Sequence, residues 1–214
     1  MPIKYLLFLL SESDIRRYGA YMLIDRVIYP ITTLGPGDRI AIWTQGCSKQ
    51  CKNCASSELW KRDSSKNIPV NELLKYILKC IDNKKADGIT ITGGDPLEQP
   101  EELEELLKGL HSFCSDILLY TGYEYLELEN ILGAEYLKNL RKNVSVLIDG
   151  RYIDDKNDNK STLIGSVNQN IIYFDESVRE KYEDYIRKGR QVQNVYYGNS
   201  LMSVGIHNKD KGEM

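Results

Sequence analysis

Cys47, Cys51 and Cys54 fall within the run Cys-Ser-Lys-Gln-Cys-Lys-Asn-Cys. Three thiolates on one short loop leave one iron of a four-iron cluster without a protein ligand. An open iron is a place for substrate, just as catalytic metal sites keep a free position and structural sites are closed. Lys49 and Lys52, set between the cysteines, are expected to lower the thiol pKa values and to offset the charge of a cluster. Three plainer readings compete. A structural zinc site needs four ligands, yet the only histidines, His111 and His207, lie far away in sequence. A Cys-x-x-Cys dithiol made of Cys51 and Cys54 leaves Cys47 without a role. Inert cysteines are usually buried among apolar residues, and this loop is polar. Cys80, beside the apolar stripe of its helix, and Cys114, after Phe113, read instead as small core hydrophobes.

Other stretches could serve the same chemistry. Gly93-Gly94-Asp95-Pro96 closes an apolar run. A glycine pair there lets a ligand approach the backbone, and the following acid can receive an ammonium group, although any strand-to-helix turn can use Gly and Asp in this way. Thr121-Gly122-Tyr123 and Asp149-Gly150-Arg151 are weaker signals alone and gain weight from their positions.

The elements that must carry these loops alternate between strand and helix. Ile40 to Thr44 is a β-branched and aromatic run ending at Gln45-Gly46, so the cysteine loop follows a strand. Pro69 to Asn83 has helical apolar spacing, and Gly88 to Thr92 reads as a buried strand. Pro100 to His111 opens with Pro and Glu and puts Leu103, Leu106, Leu107 and Leu110 on one face of a helix. Ile117 to Tyr120 is the next strand, 125–132 and 134–140 are helical, and Val144 to Ile148 is a further strand. Such alternation predicts parallel pairing, with all these loops on one rim. Too few units are present for a closed eight-fold barrel, so the expected fold is α/β, a partial, open parallel β/α barrel. Residues 34–175 form its core, and 1–33 are expected to add a first strand and helix. From 176 to 214, a charged helix at Glu176 to Lys188 and a hairpin within Val192 to Ile206 form an extension, expected on the outside of the core as a cap or partner-binding element.

With 214 residues the chain is the size of one domain, or one domain with an appendage, and buries a core without disulfides. Lys plus Arg (28) against Asp plus Glu (31) gives a net charge of -3, with acids mixed among the bases. This argues against a nucleic-acid face. The apolar run Ile3 to Leu10 is too short to span a bilayer and lacks the flanks of a secretory signal. A cytoplasmic protein is expected, and in that compartment clustered cysteines argue for metal or redox chemistry.

Together these residues resemble the radical S-adenosylmethionine activating enzymes, the family that includes activators of anaerobic ribonucleotide reductase. The resemblance rests on the C-x3-C-x2-C spacing, the Gly35-Pro36-Gly37 lead-in, Gln45-Gly46-Cys47, Glu58 and Trp60. It continues through Thr92 to Leu97, Tyr120 to Tyr123, Leu147 to Tyr152 and Gly165 to Gln169. It implies a barrel of the radical S-adenosylmethionine type with a [4Fe-4S] cluster on Cys47, Cys51 and Cys54. Its open iron would chelate S-adenosylmethionine, with Gly93, Gly94 and Asp95 holding the methionine ammonium and Thr121 and Asp149 as further cofactor contacts. It implies reductive cleavage to a 5'-deoxyadenosyl radical and hydrogen abstraction from a glycine of a partner such as anaerobic ribonucleotide reductase. The electron would come from an external donor such as flavodoxin or ferredoxin, and neither a membrane nor nucleic acid is implied. Ala55-Ser56-Ser57 departs from the Asn-Pro usual after the third cysteine. Two alternatives stand beside this reading: a small radical enzyme acting on another peptide or a small molecule, like the deazaguanine synthases, and a non-enzymatic metal-binding module.

Overall fold

A computed structural model of the protein describes residues 19–81 and 86–209. The apolar run Ile3 to Leu10, the end of the helix expected to reach Asn83, and the side chain of Cys80 lie outside the described residues. In chain order the strands and helices are β1 (Tyr21–Ile31), β2 (Arg39–Thr44), β3 (Asn67–Pro69), α1 (Val70–Ile81), β4 (Gly88–Gly93), α2 (Pro100–His111), β5 (Ile117–Tyr120), α3 (Tyr125–Leu132), α4 (Ala134–Asn143), β6 (Val146–Asp149), β7 (Asn170–Tyr173), α5 (Arg179–Arg187), β8 (Val192–Tyr197) and β9 (Ser200–Gly205). No helix among the described residues is long and apolar enough to cross a membrane.

Seven strands form one sheet in the order β3-β1-β2-β4-β5-β6-β7. The four strands expected from the sequence make its parallel centre, with Ile42 opposite Ile91, Ile91 opposite Leu119 and Leu119 opposite Leu147. Wholly parallel pairing does not extend to the margins, where β1, β3 and β7 pair antiparallel. Connection length explains this. Parallel neighbours need a long crossover, which α1, α2 and the α3–α4 pair provide, whereas residues 32–38 between β1 and β2 suffice only for a return. Between β6 and β7 the chain forms one 3-10 turn at Asp154–Lys156 and comes back. The expected first strand of the N-terminal segment is β1, and the expected helix would lie largely outside the described residues.

The strands are apolar on both faces, as a sheet covered on both sides requires. Ile40, Ile42, Ile89, Ile91, Ile117, Leu119 and Leu147 pack under the helices, against Leu73 and Ile77 of α1 and Leu103, Leu106, Leu107 and Leu110 of α2. The opposite face is covered by the C-terminal segment. Leu118, Val146 and Ile148 meet Tyr182 and Tyr185 of α5, while Ala41 and Trp43 share a cluster with Ile31, Leu59 and Val204 of β9. The segment therefore forms part of the core rather than an external cap. Its tyrosines act as the apolar stripe of an otherwise charged helix, reaching the sheet with their rings while each hydroxyl finds a partner.

The N-terminal ends of the central strands are joined by a buried ionic network. Arg39 is fully buried, and its guanidinium donates to Thr90 Oγ1 (2.7 Å), the Ile89 carbonyl (2.7 Å) and Asp116 Oδ1 (3.1 Å). Tyr182 Oη and Lys181 Nζ of α5 complete the shell of Asp116 at 2.7 and 2.8 Å. A buried charge without partners is very costly, so this set fixes α5 onto the ends of β2, β4 and β5.

Candidate functional site

At the other end of the same strands, the loops after β2, β4, β5 and β6 meet. The loop after β2 carries the three cysteines, all partly exposed. It is closed at its base where the Gly46 and Cys47 amides donate to the carbonyls of Leu59 (2.8 Å) and Trp60 (3.0 Å). Gln50 and Asn53, each directly before a cysteine, adopt left-handed φ values of 45° and 57°. Non-glycine residues rarely do this, and such backbone clusters at functional loops. Between the last two cysteines the chain makes a hydrogen-bonded turn, Cys54 N donating to the Cys51 carbonyl at 3.1 Å, so all three thiols lie on one short loop.

The glycine loop packs directly against the cysteine loop. Gly94 N donates to the Thr44 carbonyl and Asp95 N to the Gly46 carbonyl, both at 2.8 Å. A Cβ on Gly94 would lie 2.3 Å from the Gly46 oxygen, and one on Gly93 would lie 2.5 Å from Thr44 backbone atoms. The sequence suggests glycines that make room for a ligand; in the structure the close neighbour of both is the chain's own backbone. Gln99, just beyond, ties this loop to its neighbours by donating from Nε2 to the Leu23 and Gln45 carbonyls, both at 3.3 Å, and accepting from Leu23 N at 2.7 Å.

Asp95 is buried and stands where three loops converge. It accepts from Leu97 N (3.1 Å), Thr121 Oγ1 (2.9 Å) and Gly122 N (2.9 Å), and Lys49 Nζ of the cysteine loop lies 3.3 Å from its Oδ2. Burial pushes its carboxyl upward, while Lys49 and these three donors work against that push. Lys49 also lies 3.4 Å from Glu98 Oε1 and 3.0 Å from the centroid of the Tyr123 ring. Burial would weaken its ammonium, but Asp95, Tyr123 and Glu98 outweigh that and hold it above the usual lysine value. Glu98 in turn accepts from the Ser48 hydroxyl and, at 3.1 Å, from the Ser48 amide.

Asp149 is buried at the end of β6. Its Oδ2 accepts from Tyr125 N (2.8 Å) at the start of α3, and its Oδ1 from Asn170 N (3.1 Å) and Nδ2 (2.8 Å). Its oxygens are thus directed at its own neighbours. Arg151, in the same loop, crosses the rim and donates to the Lys49 carbonyl at 2.6 Å. The Gly165 to Gln169 stretch holds that loop in place, since Gln169 Nε2 donates to the Gly150 carbonyl and Asn168 Nδ2 to the Arg151 carbonyl. Cys47, Cys51, Cys54, Gly93, Gly94, Asp95 and Thr121 therefore form one connected constellation, and Asp149 is joined to it through Arg151.

Sequence reasoning missed the bridging roles of Lys49, Glu98, Gln99 and Arg151. A polar residue gives no periodic signal, but Glu98 falls three residues after Asp95, where a 3-10 turn brings both carboxylates toward one cation. The expectation that Lys49 and Lys52 lower the thiol pKa values needs correction. Lys49 does favour the Cys47 thiolate through its amide and its charge, but burial outweighs both and pushes the Cys47 and Cys54 thiols up, while Lys52 is exposed. Cys114, as expected, packs against the main core.

The donor set suits an iron–sulfur cluster. Among the described residues, no three His, Cys, Asp or Glu side chains converge as ligands of one metal ion. A four-iron cluster differs, since each thiolate binds a separate iron. The Trp60 indole N–H is buried without a hydrogen-bond partner, although it lies close enough to Cys54 to favour its thiolate. A cluster sulfur beside Cys54 would give that donor an acceptor, and hydrogen bonds to sulfur are one of the means by which proteins tune such centres.

Comparison with known proteins agrees with this chemistry. The family described as "4Fe-4S single cluster domain" matches residues 33–172. The anaerobic ribonucleoside-triphosphate reductase-activating protein of Vibrio cholerae is 33% identical over 68% of this chain and 95% of its own length. That of Enterobacteria phage T4 is 33% identical over 70% of this chain and 93% of its own. The pyruvate formate-lyase-activating enzyme of Clostridium pasteurianum is 33% identical over 56% of this chain and 49% of its own.

Proposed function

Because the chain belongs to the 4Fe-4S single cluster domain family, and to the radical S-adenosylmethionine enzymes that activate glycyl-radical enzymes, we propose that Cys47, Cys51 and Cys54 hold a [4Fe-4S] cluster for the activation of anaerobic ribonucleotide reductase. The observation that carries this reading is the joining of four strand-end loops around the cysteines through Lys49, Asp95, Thr121 and Arg151. The open sheet is taken as a partial barrel of the radical S-adenosylmethionine type, with its rim as the reaction site.

Gly93, Gly94 and Asp95 would orient the methionine end of S-adenosylmethionine beside the cysteine loop, with Thr121 and Asp149 holding the adjoining loops as nearby contacts. A cluster held there and reduced by an external donor such as flavodoxin or ferredoxin would supply the electron for reductive cleavage of S-adenosylmethionine to methionine and a 5'-deoxyadenosyl radical, the species that would take a hydrogen atom from a partner glycine. The chain's own residues would position the cofactor at the cysteine loop. Clustered, partly exposed thiols fit the reducing cytoplasm.

Electron paramagnetic resonance tests the proposal. The anaerobically reconstituted, reduced protein, given S-adenosylmethionine and an anaerobic ribonucleotide reductase from the same genome, is expected to generate a glycyl doublet on the reductase. Formation of 5'-deoxyadenosine without that doublet would contradict the choice of partner.

A further inference from the structure

Asp95 has little capacity left for a ligand. A carboxylate offers about four lone-pair sites, and Leu97 N, Thr121 Oγ1, Gly122 N and Lys49 Nζ stand at those of Asp95. With 1% of its surface exposed, it has no free side facing solvent. Three of these partners are fixed. Leu97 N belongs to the 3-10 turn that Asp95 caps, Gly122 N to the backbone after β5, and the Thr121 hydroxyl is held between Asp95 and Tyr123 N (3.2 Å). None can leave without opening a turn.

Lys49 is different. Its ammonium sits on a flexible four-carbon stem, and besides Asp95 it has Glu98 at 3.4 Å and the Tyr123 ring at 3.0 Å. It can give up Asp95 and remain compensated by a carboxylate and an aromatic face. We infer that Lys49 is the resident counter-ion of Asp95, and that an incoming ammonium group takes its place on Oδ2 while Lys49 stays on Glu98 and Tyr123. This rests on the function proposed above, which makes the α-ammonium of S-adenosylmethionine the incoming group.

The exchange is cation for cation, so the buried carboxylate is never left unpaired, a condition that would be strongly unfavourable. Affinity for the cofactor's amino end is then a difference, the new contact to Asp95 less the one that Lys49 gives up. Lys49 is a positioning residue on this account. It keeps the pocket assembled when empty and sets how tightly an ammonium is held.

Two substitutions with opposite expected signs test this. Lys49→Met keeps the length that packs on Gly122 and Tyr123 and removes the competing charge. Lys49→Arg places a forked guanidinium that pairs carboxylates more persistently. Calorimetric titration of S-adenosylmethionine into anaerobically reconstituted, unreduced protein reads binding without cleavage, with iron and sulfide analysis confirming equal cluster content. Lys49→Met is expected to bind about tenfold more tightly, or about 1.4 kcal/mol, and Lys49→Arg more weakly than wild type. An analogue lacking the amino group should bind wild type and Lys49→Met alike. Equal or weaker binding by Lys49→Met, or the same gain with the deaminated analogue, would overturn the inference. If the wild type itself binds no S-adenosylmethionine, the proposed function falls and the inference with it; if it binds and the variants match it, only the inference falls.

Discussion

Gly94→Ala probes the contact on which the site's assembly depends. An alanine Cβ would stand 2.3 Å from the Gly46 carbonyl oxygen, 2.9 Å from its carbon and 3.0 Å from its nitrogen, all backbone atoms that no rotamer change can move. Ordinary contact begins near 3.4 Å, so the two loops must separate by about 1 Å. They are held together there by the Gly94–Thr44 and Asp95–Gly46 hydrogen bonds, both 2.8 Å. Overpacking of this kind costs about 1–3 kcal/mol, and each backbone bond stretched past useful length loses about 0.5–1.5 kcal/mol. The expected total of about 2–6 kcal/mol is a large part of a typical domain's 5–15 kcal/mol. Since the separation occurs between Asp95 and Cys47, the variant is also expected to take up less iron and sulfide than wild type at a temperature where both are folded. Urea denaturation with parallel iron and sulfide analysis measures both effects. Gly133→Ala is the control, because Gly133 has φ +86° with nothing within 4 Å of a built Cβ. With ψ at 157° as well, its backbone lies in a region essentially restricted to glycine, so the variant should lose about 1–3 kcal/mol from backbone strain alone and keep its full cluster content. A Gly94→Ala protein with wild-type stability and a full cluster would refute the reasoning.

Other outcomes follow from the buried network at the far end of the strands. Arg39→Met removes the guanidinium from Asp116 and should lower stability by about 3–5 kcal/mol, read as a shift in urea midpoint with unchanged slope; a change under about 1 kcal/mol would show that Lys181 and Tyr182 suffice. Tyr182→Phe removes the 2.7 Å bond to Asp116 and should cost about 1.5–3 kcal/mol in the same assay. Burial alone would raise the Asp116 carboxyl, but Arg39, Lys181 and Tyr182 outweigh it and hold the group below its ordinary value. Its stabilising contribution is therefore complete above an unfolded carboxyl value of about 3.9 and disappears as pH falls through the lower, folded value. Urea midpoints followed into acid should fall less steeply in Asp116→Asn than in wild type, and identical slopes would contradict the assignment.

The features legible in the sequence were those in which one residue type carries the signal. Four apolar runs ending in Gly or polar loops gave the parallel centre, and the Leu103, Leu106, Leu107 and Leu110 spacing gave α2. Strand β1 is expected only as a first strand somewhere within residues 1–33, its bounds obscured because Asp25-Arg26 interrupts the apolar pattern where the pairing to β2 shifts register, between Ile24 and Arg26. Strand β7 is four residues long and half-buried, too short for alternation to register. Helix α5 reads as a charged helix because its buried face consists largely of tyrosines, and the burial of Arg39 leaves no local signal because it depends on partners far away in sequence. In the site, the cysteines and glycines were visible as local motifs. The bonds from Lys49 to Asp95 and from Arg151 to the Lys49 carbonyl join loops 46 and 102 residues apart, and only the fold brings them together.

The central claim is that Cys47, Cys51 and Cys54 carry a cluster that cleaves S-adenosylmethionine. The most direct test is to reconstitute wild type and Cys51→Ala anaerobically, reduce them with dithionite, add S-adenosylmethionine and quantify 5'-deoxyadenosine with and without an anaerobic ribonucleotide reductase. Wild type is expected to bind about four irons and four sulfides and to form 5'-deoxyadenosine, and Cys51→Ala to form none. Wild type that binds a single zinc without sulfide and yields no 5'-deoxyadenosine under either condition would contradict the account.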